Sequence, residues 1–437
     1  MITVIFSRKL NYNDYGTFQS VWMYANIVNV IVSFGFSSVL LSANLPFFFR
    51  FVKENKKTII SFYTILSIIC FSAFFLLAKN FDSTLKLLLI GFMIVQNIIT
   101  VAETLLLKRH GEIASFIINV FYSLLFFGCH IAVLLVHYSL SVLMISLVIL
   151  SALKLAAIYS IPARSEDFAP APEENNFMHH WIFLGLTEIL GVISRWIDKV
   201  FLLYLLTASD FAVFFNGSFE IPFFGLLISV AGSLMMIEFS GSLYQKDKII
   251  SVFKETADML SSIVFPLFFF LFFFRYDLFS FIFKDKYNDS VPIFAISIFI
   301  LPLRINNYSV MLQCFSLGKK VLTGAIIDII IALALMIILY PAMGSRGIVL
   351  SIVISTYIQT LYFLWESAKL VHTTIFNILP LRKLLTKFLL LLVIYFCCSS
   401  LVSSLSVILK IAVATIVTLI TIAAGTWSYL KALLTKR

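Results

Sequence analysis

The sequence predicts an all-α polytopic membrane protein with thirteen transmembrane helices. Two observations predict it. Of 437 residues, 61% are hydrophobic and only 12% are charged, giving a mean hydropathy of +1.03, whereas a water-soluble chain carries roughly a quarter of its residues charged. The apolar residues also fall into successive continuous runs of about 20, the length a helix needs to cross roughly 30 Å of hydrocarbon. A β-barrel would instead show short segments of strict alternation, and the 47 Phe of the chain lie in runs without it.

The spans are expected at 18–42, 58–78, 85–107, 113–136, 140–161, 181–206, 211–237, 257–274, 291–316, 321–341, 346–368, 384–404 and 407–430. The longest polar connection, Pro162 to His180, carries Pro162, Pro170, Pro172, Glu166, Asp167, Glu173 and Glu174, a composition that reads as a flexible linker between two halves. It divides the chain into an amino-terminal lobe at 1–161, a cytoplasmic linker at 162–180, a carboxy-terminal lobe at 181–370, and an additional helix pair with a tail at 371–437. A repeat agrees with that division. Asn13-Asp14-Tyr15-Gly16-Thr17-Phe18 and Ser209-Asp210-Phe211-Ala212-Val213-Phe214 stand at an offset of 196, each at a short turn leading into a helix.

Lys and Arg set the orientation. Alternate connections collect 19 basic residues on one side, 9 on the other, and leave 4 within spans, so the richer side, with the C-terminus, is expected in the cytoplasm of a bacterial inner membrane. Thirteen crossings then leave Met1 outside with no signal peptide, and residues 1–6 are expected to be the tail of a truncated first helix. A genuine outside N-terminus is the alternative. The net charge of +10 is explained by topology, because its basic residues are scattered over short loops, and no nucleic-acid partner is expected. Cys70, Cys129, Cys314, Cys397 and Cys398 lie in apolar runs without metal or disulfide spacing, so no metal or cofactor is expected either.

An ionisable side chain near mid-helix costs roughly 2.5–3.5 kcal/mol in a bilayer, so each one marks a function or half of a buried pair. The span at 181–206 carries four. At 100° per residue, Glu188, Arg195 and Lys199 share one face, with Asp198 to the side. That face is either a charged wall of a water-filled cavity or an ion-paired lock between helices. Arg304, in Pro302-Leu303-Arg304-Ile305-Asn306-Asn307, stands beside a proline that loosens its helix; it either lines the cavity or caps freed carbonyls. Polar stripes occur in the first half as well: Gln19, Asn26, Ser33 and Ser37; Gln96 and Glu103; Glu112, Asn119, Ser123, His130 and His137. These either hydrate a cavity or bond helix to helix. His130 has no second ligand at metal-binding spacing. Lys154, Asp328 and Glu366 rank lower, Lys154 as a side chain that snorkels and Glu366 as one wetted at the interface.

Three stretches together resemble the multidrug, oligosaccharidyl-lipid and polysaccharide exporter superfamily, in particular the polysaccharide-transport branch that holds the O-antigen flippases. They are Ser7-Arg8-Lys9-Leu10 into Asp14-Tyr15-Gly16; Trp196-Ile197-Asp198-Lys199-Val200 through Asp210-Phe211 to Glu220-Ile221-Pro222; and Phe283-Lys284-Asp285-Lys286-Tyr287 through Gly318-Lys319-Lys320 to Gly344-Ser345-Arg346-Gly347-Ile348. The resemblance implies two six-helix lobes around a central cavity, an extra helix pair at 384–430, and a complete helix ahead of the Ser-Arg segment, which this chain lacks. It also implies a flippase, not an enzyme, that moves a polyprenyl-pyrophosphate-linked oligosaccharide across the membrane by alternating access, as a monomer, for surface polysaccharide or lipopolysaccharide assembly.

On that reading Arg195, Lys199 and Arg304 hold the pyrophosphate in a shared aqueous vestibule, and Asn26, Glu103 and Asn119 belong to the polar lining. Glu188 or Asp198 takes up a coupling proton or sodium ion. A multidrug cation antiporter would show an acidic, aromatic cavity instead. A lipid II flippase is a further alternative, and a glycan polymerase would need a large extramembrane loop.

Overall fold

A computed structural model describes residues 2–42, 45–108, 111–136, 138–161, 177–218, 222–240, 246–315 and 317–435. The expected linker therefore lies outside the described residues over 162–176, as do His137 and Glu220. Every regular element among the described residues is a helix, as a bilayer demands of backbone that has no water to bond.

Nine helices among the described residues are long and apolar enough to cross a membrane. They take up nine of the thirteen expected spans. The other four are helices interrupted or charged along their length, and those four hold most of the candidate site residues.

The first compact unit comprises residues 1–203 with 207–209. Its helices are α1 (Ile2–Lys9), α2 (Tyr12–Ser33), α3 (Phe36–Ser42), α4 (Leu45–Glu54), α5 (Lys56–Leu77), α6 (Ser83–Lys108), α7 (Glu112–Val136), α8 (Leu140–Tyr159) and α9 (Phe177–Leu203). Asn11 caps α2 by accepting the Asp14 N–H. The single span expected over 18–42 is broken at Phe34 and Gly35, both of which have positive φ, +40° and +70°. Glycine is required at the second position for space as well as for backbone: a Cβ on Gly35 would lie 2.7 Å from the Gly185 nitrogen of α9.

The break frees carbonyls, and neighbouring helices bond them. Trp181 Nε1 donates to the Phe34 carbonyl at 3.2 Å, and the Tyr63 hydroxyl donates to that of Ser33 at 3.1 Å. Around it Val39, Leu40, Phe48, Phe177 and Trp181 form a buried cluster joining α3, α4 and α9. Packing thus ties α9 to α2 and α3, and the compact units divide near residues 203–210, beyond the linker and beyond the helix that follows it. On the other side of the unit, α8 packs between α6 and α7.

The second compact unit comprises 204–206 and 210–437. It is built from α10 (Ala208–Gly217), α11 (Pro222–Ser240), α12 (Lys246–Phe273), α13 (Arg275–Phe283), α14 (Val291–Ser297), α15 (Val310–Cys314), α16 (Gly318–Met343), α17 (Ser345–Leu370), α18 (Ile375–Ile378), α19 (Leu381–Leu401) and α20 (Val407–Thr435). The additional helix pair is anchored to α12. Rings of Phe265, Phe268 and Phe269 meet Phe388 of α19, with centroids 4.8–6.0 Å apart. Asp258 of α12 accepts from Lys387 at 2.5 Å and from the Tyr429 hydroxyl at 2.7 Å, tying in both α19 and α20. The expected span at 291–316 is broken too: α14 passes into a 3₁₀ turn over Ile298–Leu303 containing Pro302, then into irregular backbone before α15. Proline has no N–H to give to a preceding turn.

Candidate functional site

Two polar sites emerge, one within each unit. In the first, Lys154 of α8 is only 8% exposed. Its ammonium forms an ion pair with Glu103 Oε1 of α6 at 2.8 Å and donates to Asn119 Oδ1 of α7 at 2.9 Å. It lies 4.4 Å from the centre of the Tyr122 ring. One turn or two along the same helices, Gln96 Nε2 donates to the Tyr122 hydroxyl and to Ser151 Oγ, each at 2.9 Å. The snorkelling expected of Lys154 is therefore corrected: its partners lie inside the three-helix unit, and the charge follows them. Glu103 and Asn119 are brought together through this lysine.

The stripe on α2 does not join them. Asn26 is exposed and donates back to the Trp22 carbonyl at 2.7 Å, while Gln19 is buried and donates to the Tyr15 hydroxyl at 2.6 Å. His130 is fully buried among the rings of Phe6, Phe18, Trp22 and Phe126, with Nδ1 2.8 Å from the Phe126 carbonyl. Among the described residues no group of three His, Cys, Asp or Glu side chains could hold a metal ion.

The charged face of α9 is divided. Glu188 accepts from Ser38 Oγ of α3, across the break in the first long helix. Asp198 and Lys199 are buried and paired at 3.0 Å, with the Lys199 ammonium 5.7 Å from the Trp196 ring centre. Arg195 is exposed and, among the described residues, makes no ion pair or hydrogen bond.

The second site is in the second unit, at the break after Pro302. Arg304 lines a cavity of about 190 Å³ together with Asn306, Asn307, Ser309, Thr356, Gln359 and Thr360, backed by Ile228, Ile300, Leu303, Tyr308 and Phe363. The irregular backbone is held by side chains: Asn306 Nδ2 donates to the Phe253 carbonyl of α12 at 3.0 Å, and Asn307 Oδ1 accepts from Ser309 Oγ at 3.0 Å. Gln359 Nε2 donates to the Gly324 carbonyl at 3.2 Å. Among the described residues Arg304 has no carboxylate partner. A half-buried guanidinium without a counter-ion, facing amides and hydroxyls, is chemically suited to an anion that also offers hydroxyl groups.

Two lower-ranked residues are also located. Glu366 is buried and paired with Lys320, which corrects the expectation that it is wetted. Asp328 is buried on α16. The Asp258 cluster was missed by sequence reasoning, although an acidic residue inside a span is the signal that marks it.

With this geometry in hand, the sequence matches the family described as polysaccharide biosynthesis protein over residues 5–292. The chain belongs to that family. Its fold is similar to that of solved membrane transporters: the lipid II flippase MurJ in an inward closed conformation is similar with a TM-score of 0.68 at 16% identity, covering 98% of this chain and 96% of that one. A multidrug resistance MATE family transporter of the MOP superfamily, inward-facing, is similar with a TM-score of 0.60 at 15% identity over 84% of this chain and 93% of that one. A MOP superfamily transporter from Pyrococcus furiosus gives 0.54 at 14% identity over 85% and 92%. No curated protein matches the sequence. The family member is thus an all-helical, multi-pass membrane protein with the MurJ and MATE architecture.

Proposed function

We propose that this polysaccharide biosynthesis protein is a flippase for a polyprenyl-pyrophosphate-linked oligosaccharide, working in a bacterial inner membrane with its C-terminus in the cytoplasm, and that it is not an enzyme. The observation that carries the reading is Arg304. In a membrane fold a cation mid-chain is costly unless it is paired or wetted, and this one faces a cavity of amide and hydroxyl groups without a carboxylate among the described residues. A pyrophosphate supplies the missing charge, bound bidentately by the guanidinium, and the amides and hydroxyls suit sugar. The polyprenyl tail stays in lipid. Arg195 of α9, exposed and without a hydrogen bond or ion pair among the described residues, is a second candidate cation, within the first unit. Alternating access, known for folds built on repeated halves, supplies the motion.

An organic-cation substrate fits less well, because an unpaired guanidinium repels it. A lipid II substrate is the second reading, favoured by the likeness to MurJ over nearly the whole chain. The test is surface-glycan export in a strain whose own gene is deleted. Wild type restores export and R304A and R195A reduce it; unchanged export in both variants removes the cationic-site reading, and rescue of a lipid II flippase deletion in place of glycan export selects the second one.

A further inference from the structure

We infer that Glu103, Asn119 and the Tyr122 ring form a monovalent-cation site that the protein fills with its own Lys154 ammonium. The ligand set is what Na⁺ or K⁺ takes from a protein: a carboxylate oxygen, an amide oxygen and an aromatic face. Each belongs to α6 or α7, and all converge on one point, where the ammonium lies 2.8 Å from Glu103 Oε1, 2.9 Å from Asn119 Oδ1 and 4.4 Å from the ring centre. Two oxygens and one aromatic face thus surround the ammonium.

The site is built from outside the lysine. Gln96 and Ser151 hold the Tyr122 hydroxyl, and so fix the ring without touching the ammonium. Lys154 itself lines an apolar groove between α7 and α8, together with Ile118, Leu150, Leu153 and Ala157. The side chain of Lys154 is 7% exposed and that of Glu103 is 21% exposed, and the Glu103 Oε1 that faces the ammonium is itself buried. Cation and ligand atom are thus both sealed in, as in an occupied ion site. A surface ion pair has it the other way, with the long lysine reaching outward. The consequence is a first unit whose polar centre carries a tethered counter-ion and takes up no dissolved sodium or potassium there.

The inference does not depend on which lipid is carried, and its test measures no transport. The full chain is purified in lipid nanodiscs and its thermal unfolding midpoint followed by tryptophan fluorescence at constant ionic strength, in choline, sodium, potassium or methylammonium chloride. Wild type is expected to unfold at the same temperature in all four. K154A is expected to unfold earlier in choline and to recover, in a concentration-dependent way, in at least one of the small cations, and the double variant E103Q/K154A is expected to lose that recovery. A sodium- or potassium-dependent rise in wild type that E103Q abolishes would show that the lysine does not fill the site, and K154A that no small cation rescues would show that no site exists. If K154A unfolds during purification, its membranes are solubilised in methylammonium chloride against choline chloride and the folded yield is read: a gain supports the inference and equal yields overturn it.

Discussion

Lys154 and Arg304 are both cations within expected spans, yet the structure treats them in opposite ways. Lys154 stands on an unbroken helix, and its ammonium meets a carboxylate, an amide oxygen and an aromatic ring of α6 and α7. Arg304 stands where its helix stops and faces a cavity with no acid opposite among the described residues. The difference teaches that, for these two cations, the role follows the continuity of the helix. A continuous helix positions a charge for its neighbours, whereas a broken one opens space that a ligand can enter.

The comparison can be broken most directly at the paired cation. Lys154→Met leaves Glu103 buried without its partner, and removing one half of a buried pair costs about 3–5 kcal/mol; thermal unfolding of the purified variant should show it, and adding Glu103→Gln should return most of the loss. If Lys154→Met were as stable as wild type, the two cations would not differ as described. Arg304→Ala should do the reverse, with unfolding close to wild type and glycolipid binding weakened about 10- to 150-fold, the value of a charge-assisted hydrogen bond of roughly 1.5–3 kcal/mol. A large drop in its melting temperature would place Arg304 among the structural charges. Tyr122→Phe sharpens the first site, because it keeps the ring beside Lys154 and removes only the bonds to Gln96 and Ser151; a loss of about 1 kcal/mol is expected in denaturant unfolding. Arg195→Ala should change stability by no more than about 0.5 kcal/mol, as for an exposed side chain without partners among the described residues, so any fall in export would come from substrate.

Much of the fold was legible in the sequence because hydropathy is a property of each segment alone. The runs that became α5 to α8, α12, α16, α17, α19 and α20 needed no knowledge of neighbours. The two breaks were unequally visible. Pro302 announces the one beside Arg304, whereas Phe34-Gly35 hides in an apolar run, and its meaning depends on Gly185, far along the chain and packed against it. Pairings were the least legible. Helical angles put Gln96 and Glu103 on one face of α6, but not which helix that face meets, and Lys154 is 51 residues from the acid it neutralises. The same holds for Glu188, whose partner Ser38 is 150 residues away. A charge near a helix end, as Lys154 is, looks from sequence alone like one that reaches for the interface.

The anchoring of α19 and α20 has a genetic consequence. Asp258 belongs to α12, yet two of its partners, Lys387 and Tyr429, are supplied by the appended hairpin. A shortened gene ending before α19 would strand that carboxylate against apolar surroundings, so deletion of the hairpin should be tolerated only together with a neutral residue at position 258. Appendage and host would be gained or lost as one inheritance.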